Sequence, residues 1–252
     1  MMLAVIPARI GATRLPRKPL RDLAGKPLVI RVWERVQAMN VADRCVVATD
    51  SDEVASAATA AGAECVMTRG DHPSGTDRVA EVAARREFGG YDAIVNIQGD
   101  EPFVQRDAVV GAAEIVSSGR FPLGTAAAHA AAAILGQPDV VKVVTADDGR
   151  ALYFSRARIP FIRDDADAPL AATLVRQHIG VYAYTRDALD RWVQLPQHPL
   201  ERVERLEQLR PLAAGIAMGV AVIDEPPLGG IDTEDDLARA SARWHDYSRG
   251  RR

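Results

Sequence analysis

The chain has 252 residues, 48% apolar and 26% charged, a balance that excludes a disordered polymer and leaves ample material for a buried core. Its net charge of −3 gives no reason to expect nucleic acid as a partner. No apolar run reaches the roughly 20 residues that span a bilayer, which argues against a membrane protein. The first basic residue follows the opening apolar stretch, so no signal-peptide pattern is present. Cys45 and Cys65 lie in apolar, strand-like segments and read as reduced core residues, which points to the cytoplasm.

Runs of Val, Ile and Ala predict strands at 3–6, 44–49, 63–67, 92–97, 123–129 and 218–224. Helical patterns fall between them at 27–39, 52–61, 75–88 and 106–117. In the first helix Leu28, Val32 and Val36 form an i, i+4 stripe, with Pro27 at a favourable first-turn position. Strands that are apolar nearly throughout and alternate with helices indicate an α/β fold, a mostly parallel sheet with helices on both faces. Ligands in such sheets bind beyond the carboxyl ends of the strands. That rule puts the loop after Ile6, Asp50, and Gln98-Gly99-Asp100 along one rim. Residues 140–184 read as an antiparallel insertion, with a hairpin around Asp147-Asp148-Gly149 and a further strand in "RQHIGVYAYT". Helices at about 200–214 and 233–246, the latter led by a Thr233-x-x-Asp236 cap pattern, complete a single domain spanning 1–252.

Between Arg9 and Arg31 there are seven basic residues and one acid, Asp22, a concentration that marks a site in a slightly acidic protein. Neither G-x-x-x-x-G-K-[ST] nor G-x-G-x-x-G occurs, so the loop is not a P-loop or a dinucleotide fingerprint. It offers Gly11, Thr13, arginines and Lys18 instead, which reads either as a solvated basic surface or as a site that a triphosphate would satisfy. "IVNIQGDEP" ends a strand with Asp100, and "LGGIDTEDDL" places Asp232 before a helix. Each aspartate alone reads as a turn or cap residue. Together, facing a basic loop, they form a two-point site for Mg²⁺ and phosphate.

"RGDHPSGTDRVAEV" presents Ser74, Gly75 and Thr76 either to a small polar ring or ribose or simply as a capped helix start, with His72 as a loop histidine. Arg156, Arg158, Arg176, His178, Tyr182 and Tyr184 cluster in the insertion. Strand alternation puts His178 and Tyr182 on one face, with Gly180 leaving space between them. Such a face suits an acidic, hydroxyl-rich ligand or an aromatic surface between subunits. Glu207 and Gln208 in "RLEQLR" suit a sugar polyol. His129, His198 and His245 carry no chemistry in this reading, and nothing resembles a zinc site or a Ser-His-Asp arrangement.

The motifs I-P-A-R-x-x-x-T-R-L-P-x-K-P-L, ATD, H-x-SGT-x-R, N-x-QGDEP, ALYFSR, H-x-G-x-Y-x-Y, LEQLR and DT-x-x-DL occur in this order from Leu3 to about Leu237. In this order they resemble the 3-deoxy-manno-octulosonate (Kdo) cytidylyltransferase family. The resemblance implies a three-layer nucleotidyltransferase fold that transfers CMP from CTP to the anomeric hydroxyl of Kdo. CMP-Kdo for lipopolysaccharide biosynthesis and pyrophosphate would be the products, with Mg²⁺ as cofactor. By motif, Arg9, Arg14 and Lys18 would hold the triphosphate, and Ala8, Arg69, Ser74 and Gly75 would surround the cytidine. Asp100 and Asp232 would hold the metal, and with Arg9 and Lys18 would form the catalytic set. Gln98, Arg156, His178, Tyr182, Glu207 and Gln208 would line the sugar site, with Arg156 opposite the sugar carboxylate. The insertion would help build a homodimer. Members often carry Tyr or Leu at Ile10, Ser at Ala12 and Gly at Arg17. Rival readings are the same reaction on sialic acid or an amino-substituted Kdo, and a catalytically silent nucleotide-binding subunit; the presence of both aspartates counts against the latter.

Overall fold

The computed structural model describes residues 1–11, 14–226 and 228–249; Ala12 and Thr13 of the basic loop lie outside the described residues. In chain order the elements are β1 (Met2–Ala8), β2 (Asp22–Leu23), β3 (Lys26–Pro27), α1 (Leu28–Met39), β4 (Arg44–Thr49), α2 (Asp52–Ala60), β5 (Glu64–Met67), α3 (Gly75–Ala83) and β6 (Ala93–Asn96). There follow α4 (Arg106–Ser117), β7 (Leu123–His129), β8 (Lys142–Thr145), β9 (Ala151–Ser155), α5 (Ala168–Leu174), β10 (Arg176–Thr185), α6 (Arg186–Gln194), α7 (Pro199–Glu204), α8 (Leu209–Ala213), β11 (Met218–Ile223) and α9 (Glu234–Arg249). The chain divides into two compact units, one formed by Met1–Tyr91, Asn96–Val104 and Leu228–Arg252, the other by Asp92–Val95 and Gln105–Pro227.

In the first unit β1, β4 and β5 are parallel, and Ala8 pairs with Thr49 and Thr49 with Met67, so their carboxyl ends lie level. The apolar stripe of α1 is buried at Leu28, Val32 and Val36 as its spacing predicts. Leu15 from the basic loop joins Leu23, Leu28, Phe103, Ile231, Leu237 and Ala240 in one buried cluster. Burial of these side chains ties the loop, the 96–104 segment and the start of α9 to one core. Arg17 has φ 56, the left-handed region that glycine enters at least cost. Its guanidinium pairs with Glu53.

In the second unit the strand order is β11-β7-β10-β6, with β11 parallel and β10 antiparallel to β7. Ala126, Ala127 and Ala128 of β7 are plain packing residues, wholly buried. The expected hairpin is β8 and β9, with Gly149 at φ 84 in its turn. Its companion β10 lies within the sheet between β7 and β6, because Ile179, Val181 and Ala183 bury one face there. The helix expected over 200–214 is two short helices, broken where Arg205 adopts φ 55. The helix expected over 75–88 stops at Ala83 and is followed by a 3₁₀ turn at Arg86–Phe88. Sequence periodicity missed α5 and α6; the latter is capped by Thr185, whose side chain accepts from the Ala188 N–H. Cys45 and Cys65 are free, and burial pushes the Cys45 thiol up to about 12. Among the described residues no helix is long and apolar enough to cross a membrane.

Glu201 and Arg210 brace the break between α7 and α8. Arg210 donates from Nε to Glu201 Oε2 (2.8 Å) and from Nη2 to Oε1 (2.7 Å), with each side chain 8% exposed. Desolvation raises the Glu201 pKa, but the hydrogen bonds and charge of Arg210 outweigh it and leave the carboxyl below its ordinary value. Glu201→Gln is expected to lower stability by about 3 kcal/mol at pH 7, since it strands a buried guanidinium. A depressed carboxylate contributes stability fully above its unfolded pKa of about 4.3 and loses it as the pH falls through the folded value. Denaturant melts from pH 7 downward should therefore show the parent and Glu201→Gln converging below about pH 4.

Candidate active site

The carboxyl end of β1 passes from buried Ala8 to exposed Arg9, and Leu15 anchors the loop beyond while Arg14 stays exposed. The left-handed turn at Arg17 then starts a 3₁₀ helix at Lys18. The Lys18 side chain, 17% exposed, donates from Nζ to Asp100 Oδ2 (2.5 Å) and to Asp232 Oδ1 (2.7 Å). Arg14 donates to the other Asp232 oxygen (2.9 Å). Two aspartates 132 positions apart thus converge on one ammonium. Burial lowers the Lys18 pKa, but the two carboxylates outweigh it, and the net shift is upward. Beside them desolvation, reinforced by the charges of Asp100 and Asp232 and opposed by Lys18, pushes the Glu101 carboxyl up to about 8.

Close backbone approach makes this convergence possible. A Cβ on Gly99 would lie 2.7 Å from the Pro7 carbonyl oxygen, and one on Gly230 would lie 2.7 Å from Glu101 Oε1. The Ile231 N–H donates to the Asp100 carbonyl (2.9 Å), joining the two aspartate-bearing segments. Asp232 is not the cap of α9. Thr233 takes that role, its hydroxyl accepting from the Asp236 N–H (3.2 Å) while Asp236 Oδ2 accepts from the N–H groups of Asp232 and Thr233. The Asp232 carboxylate is therefore left to Lys18 and Arg14.

Among the described residues no group of three or more His, Cys, Asp or Glu side chains is arranged to hold a metal. Mg²⁺ needs no such group, since one or two carboxylates plus phosphate oxygens suffice, and Asp100 with Asp232 fits that donor set.

Gly75 opens α3 against the end of β1, where an added Cβ would lie 3.4 Å from Pro7 Cγ and 3.8 Å from Gln98 Oε1. Gln98 thus sits with the nucleotide-site candidates of the first unit, its amide donating to Asn96 Oδ1 (3.3 Å). Ser74 caps α3, accepting from the Asp77 N–H (3.3 Å) and donating to Asp77 Oδ2 (2.6 Å). Arg69 is exposed and pairs with Asp71, and His72 is held by Glu81 (2.5 Å). Arg78 closes the H-x-SGT-x-R motif, yet nothing in its sequence neighbourhood assigns it a role. It is 3% exposed and donates to the Thr68 hydroxyl and to Asp50 Oδ2 (3.1 Å), joining α3 to the ends of β4 and β5.

In the second unit His178 and Tyr182 share a face of β10, their rings 5.6 Å apart. His178 Nε2 bonds Thr125 Oγ1 (3.0 Å), and its ring packs edge-on to Phe154 (4.9 Å). Burial pushes the imidazole down to about 3, so it is neutral at pH 7. Burial, with the charges of Tyr184 and Glu207, holds the Tyr182 phenol well above its ordinary value, leaving a hydroxyl donor. Arg156 follows β9 with its guanidinium on the carbonyls of Glu204 and Pro138. Glu207 and Gln208 occupy the turn between α7 and α8, where Gln208 is buried. Arg176 donates from Nη1 to the carbonyls of Thr173 and Val175.

Residues 3–218 match the family model described as cytidylyltransferase. A 3-deoxy-manno-octulosonate cytidylyltransferase of Gemmatimonas aurantiaca is 63% identical over 243 residues, 96% of this chain and 94% of that protein. One of Herminiimonas arsenicoxydans is 46% identical over 242 residues, 93% of this chain and 95% of its own. Among solved structures, CMP:2-keto-3-deoxy-manno-octonic acid synthetase complexed with CTP superposes with a TM-score of 0.89 at 37% identity, covering 98% of this chain and 99% of that one. With nearly its whole length matched in sequence and in fold, the chain belongs to the cytidylyltransferase family.

Proposed function

We propose that the chain transfers CMP from CTP to the anomeric hydroxyl of Kdo, releasing pyrophosphate and supplying CMP-Kdo for lipopolysaccharide biosynthesis. The observation that carries this reading is the convergence of Asp100 and Asp232 on Lys18 beside Arg14. The relatives named for this reaction support it over most of their length. Two free thiols fit a reducing compartment such as the cytoplasm.

In this reading Arg9, Arg14 and Lys18 bind the triphosphate, and Ala8, Arg69, Ser74 and Gly75 surround the cytidine. Gln98, Arg156, His178, Tyr182, Glu207 and Gln208 orient the sugar. A neutral imidazole and a protonated phenol exchange hydrogen bonds with sugar hydroxyls without adding charge, which leaves Arg156 to meet the carboxylate. Both substrates are anions, so the positive groups must offset their repulsion while holding the hydroxyl in line with the α-phosphorus. Asp100 and Asp232 would hold Mg²⁺, which when bound neutralises phosphate charge and lowers the pKa of the attacking hydroxyl.

The same reading assigns a homodimer. Leu152, Phe161, Leu170, Leu174 and Val203 are exposed in the second unit, Phe161 by 76% and Val203 by 82%, and a second copy would cover such a surface. Sedimentation at micromolar concentration should give twice the chain mass of 27.2 kDa; a particle of single mass removes the assignment.

Pyrophosphate release should require CTP, Kdo and Mg²⁺ together. Asp100→Asn and Asp232→Asn should each reduce turnover by about 100-fold or more with the circular dichroism spectrum unchanged. Their combined loss should fall short of the product of the two, as for groups that act as a unit. Equal turnover with sialic acid would move the substrate assignment, and tight CTP binding without turnover of any acidic sugar would favour a silent subunit.

A further inference from the structure

On the reading that Arg156 meets the sugar carboxylate, its own support becomes part of the site. Both peptide groups of Arg156 are held by charged side chains from elsewhere in the second unit. Its N–H donates to Glu204 Oε2 (2.9 Å), and the neighbouring Ser155 hydroxyl donates to Glu204 Oε1 (2.6 Å). Its carbonyl accepts from Lys142 Nζ (2.5 Å), which also donates to the carbonyls of Gln137 (2.9 Å) and Val140 (2.7 Å). Lys142 is wholly buried, and all three donors of its ammonium are spent on main-chain carbonyls.

The guanidinium is pinned in turn, Nε on the Glu204 carbonyl (2.9 Å) and Nη1 on the Pro138 carbonyl (3.2 Å). Nη2 makes no hydrogen bond among the described residues. A guanidinium held at Nε and Nη1 keeps the N–H groups of Nη2 for a carboxylate oxygen. Burying an ammonium is a costly way to fasten a loop, and an apolar side chain would fill the space without that desolvation. What the ammonium and the carboxylate provide instead is a fixed backbone on either side of one arginine.

We propose that Lys142 and Glu204 are positioning residues that clamp the two peptide groups of Arg156, so that the guanidinium presents its free Nη2 to the carboxylate of the acidic sugar. They touch no substrate and act through Arg156 alone.

Steady-state pyrophosphate release by the full chain with CTP, Kdo and Mg²⁺ tests this with Arg156→Ala, Glu204→Gln, Lys142→Met and the double variant Arg156→Ala/Glu204→Gln. Arg156→Ala and Glu204→Gln should each raise the KM for Kdo by about 10-fold or more, as for a lost or misaligned charge-assisted bond. The KM for CTP should stay within about twofold and kcat should move less than the KM for Kdo. In the Arg156→Ala background Glu204→Gln should change the KM for Kdo hardly at all, because the group it positions is gone. Lys142→Met deprives three carbonyls of their donor and is prone to misfold, so the isosteric Glu204→Gln is the deciding variant. An unchanged KM for Kdo in Glu204→Gln, an equal rise in both backgrounds, or a parallel rise in the KM for CTP overturns the clamp. An unchanged KM for Kdo in Arg156→Ala removes Arg156 from the sugar site itself, and a parent that turns over no acidic sugar overturns both.

Discussion

Two carboxylates brought to one point repel each other, and the end of β1 is built around the ammonium that lets them meet. Lys18 bonds Asp100 and Asp232 at once, and Arg14 takes the remaining edge of Asp232. The backbone is shaped to that end: Gly99 and Gly230 leave no room for a Cβ, and Leu15 and Ile231 share one buried cluster. Thr233 caps α9 in place of Asp232, which frees the aspartate for the rim. Of the three ammonium donors, two are used by the aspartates among the described residues, and in the proposed reaction the third would meet a phosphate oxygen.

Elements whose packing is local were legible in the sequence. The strands at 44–49 and 123–129 and the helix at 106–117 match the structure to the residue, because their burial patterns show directly in Val, Ile and Ala. The break at Arg205 was not legible: arginine gives no signal for φ 55, and the break is sustained by the Glu201–Arg210 pair across it. α6 escaped notice because only Ala188, Leu189 and Trp192 are buried in an otherwise polar stretch. The alternation in 176–185 revealed a strand but not its place, since strand order is decided by distant segments.

The candidate site divides in the same way. Sequence order and family resemblance singled out Asp100, Asp232 and the basic loop, yet left Asp232 balanced between ligand and helix cap. The Thr233-x-x-Asp236 spacing already points to Thr233 as the cap, and its hydrogen bonds with Asp236 free Asp232 of that role. Lys142, Glu204 and Arg78 escaped for a different reason. Lys142 bonds main-chain carbonyls, and Glu204 bonds a main-chain N–H and the Ser155 hydroxyl, contacts that leave no motif. Arg78 lies inside a motif, but its partners, Thr68 and Asp50, are distant in sequence.

Charge is managed differently in the two units, and the difference suits the two substrates of the proposed reaction. Around Lys18 the bonds run between side chains that are partly exposed, so partners can be exchanged at modest cost when a highly charged triphosphate arrives. Around Arg156 the bonds run to main-chain carbonyls and to the clamp of Lys142 and Glu204, where exchange would strand buried polar groups. A triphosphate brings enough charge to reorganise its own site. A sugar with one carboxylate does not, and in the proposed reaction its recognition would depend on an arginine already in place.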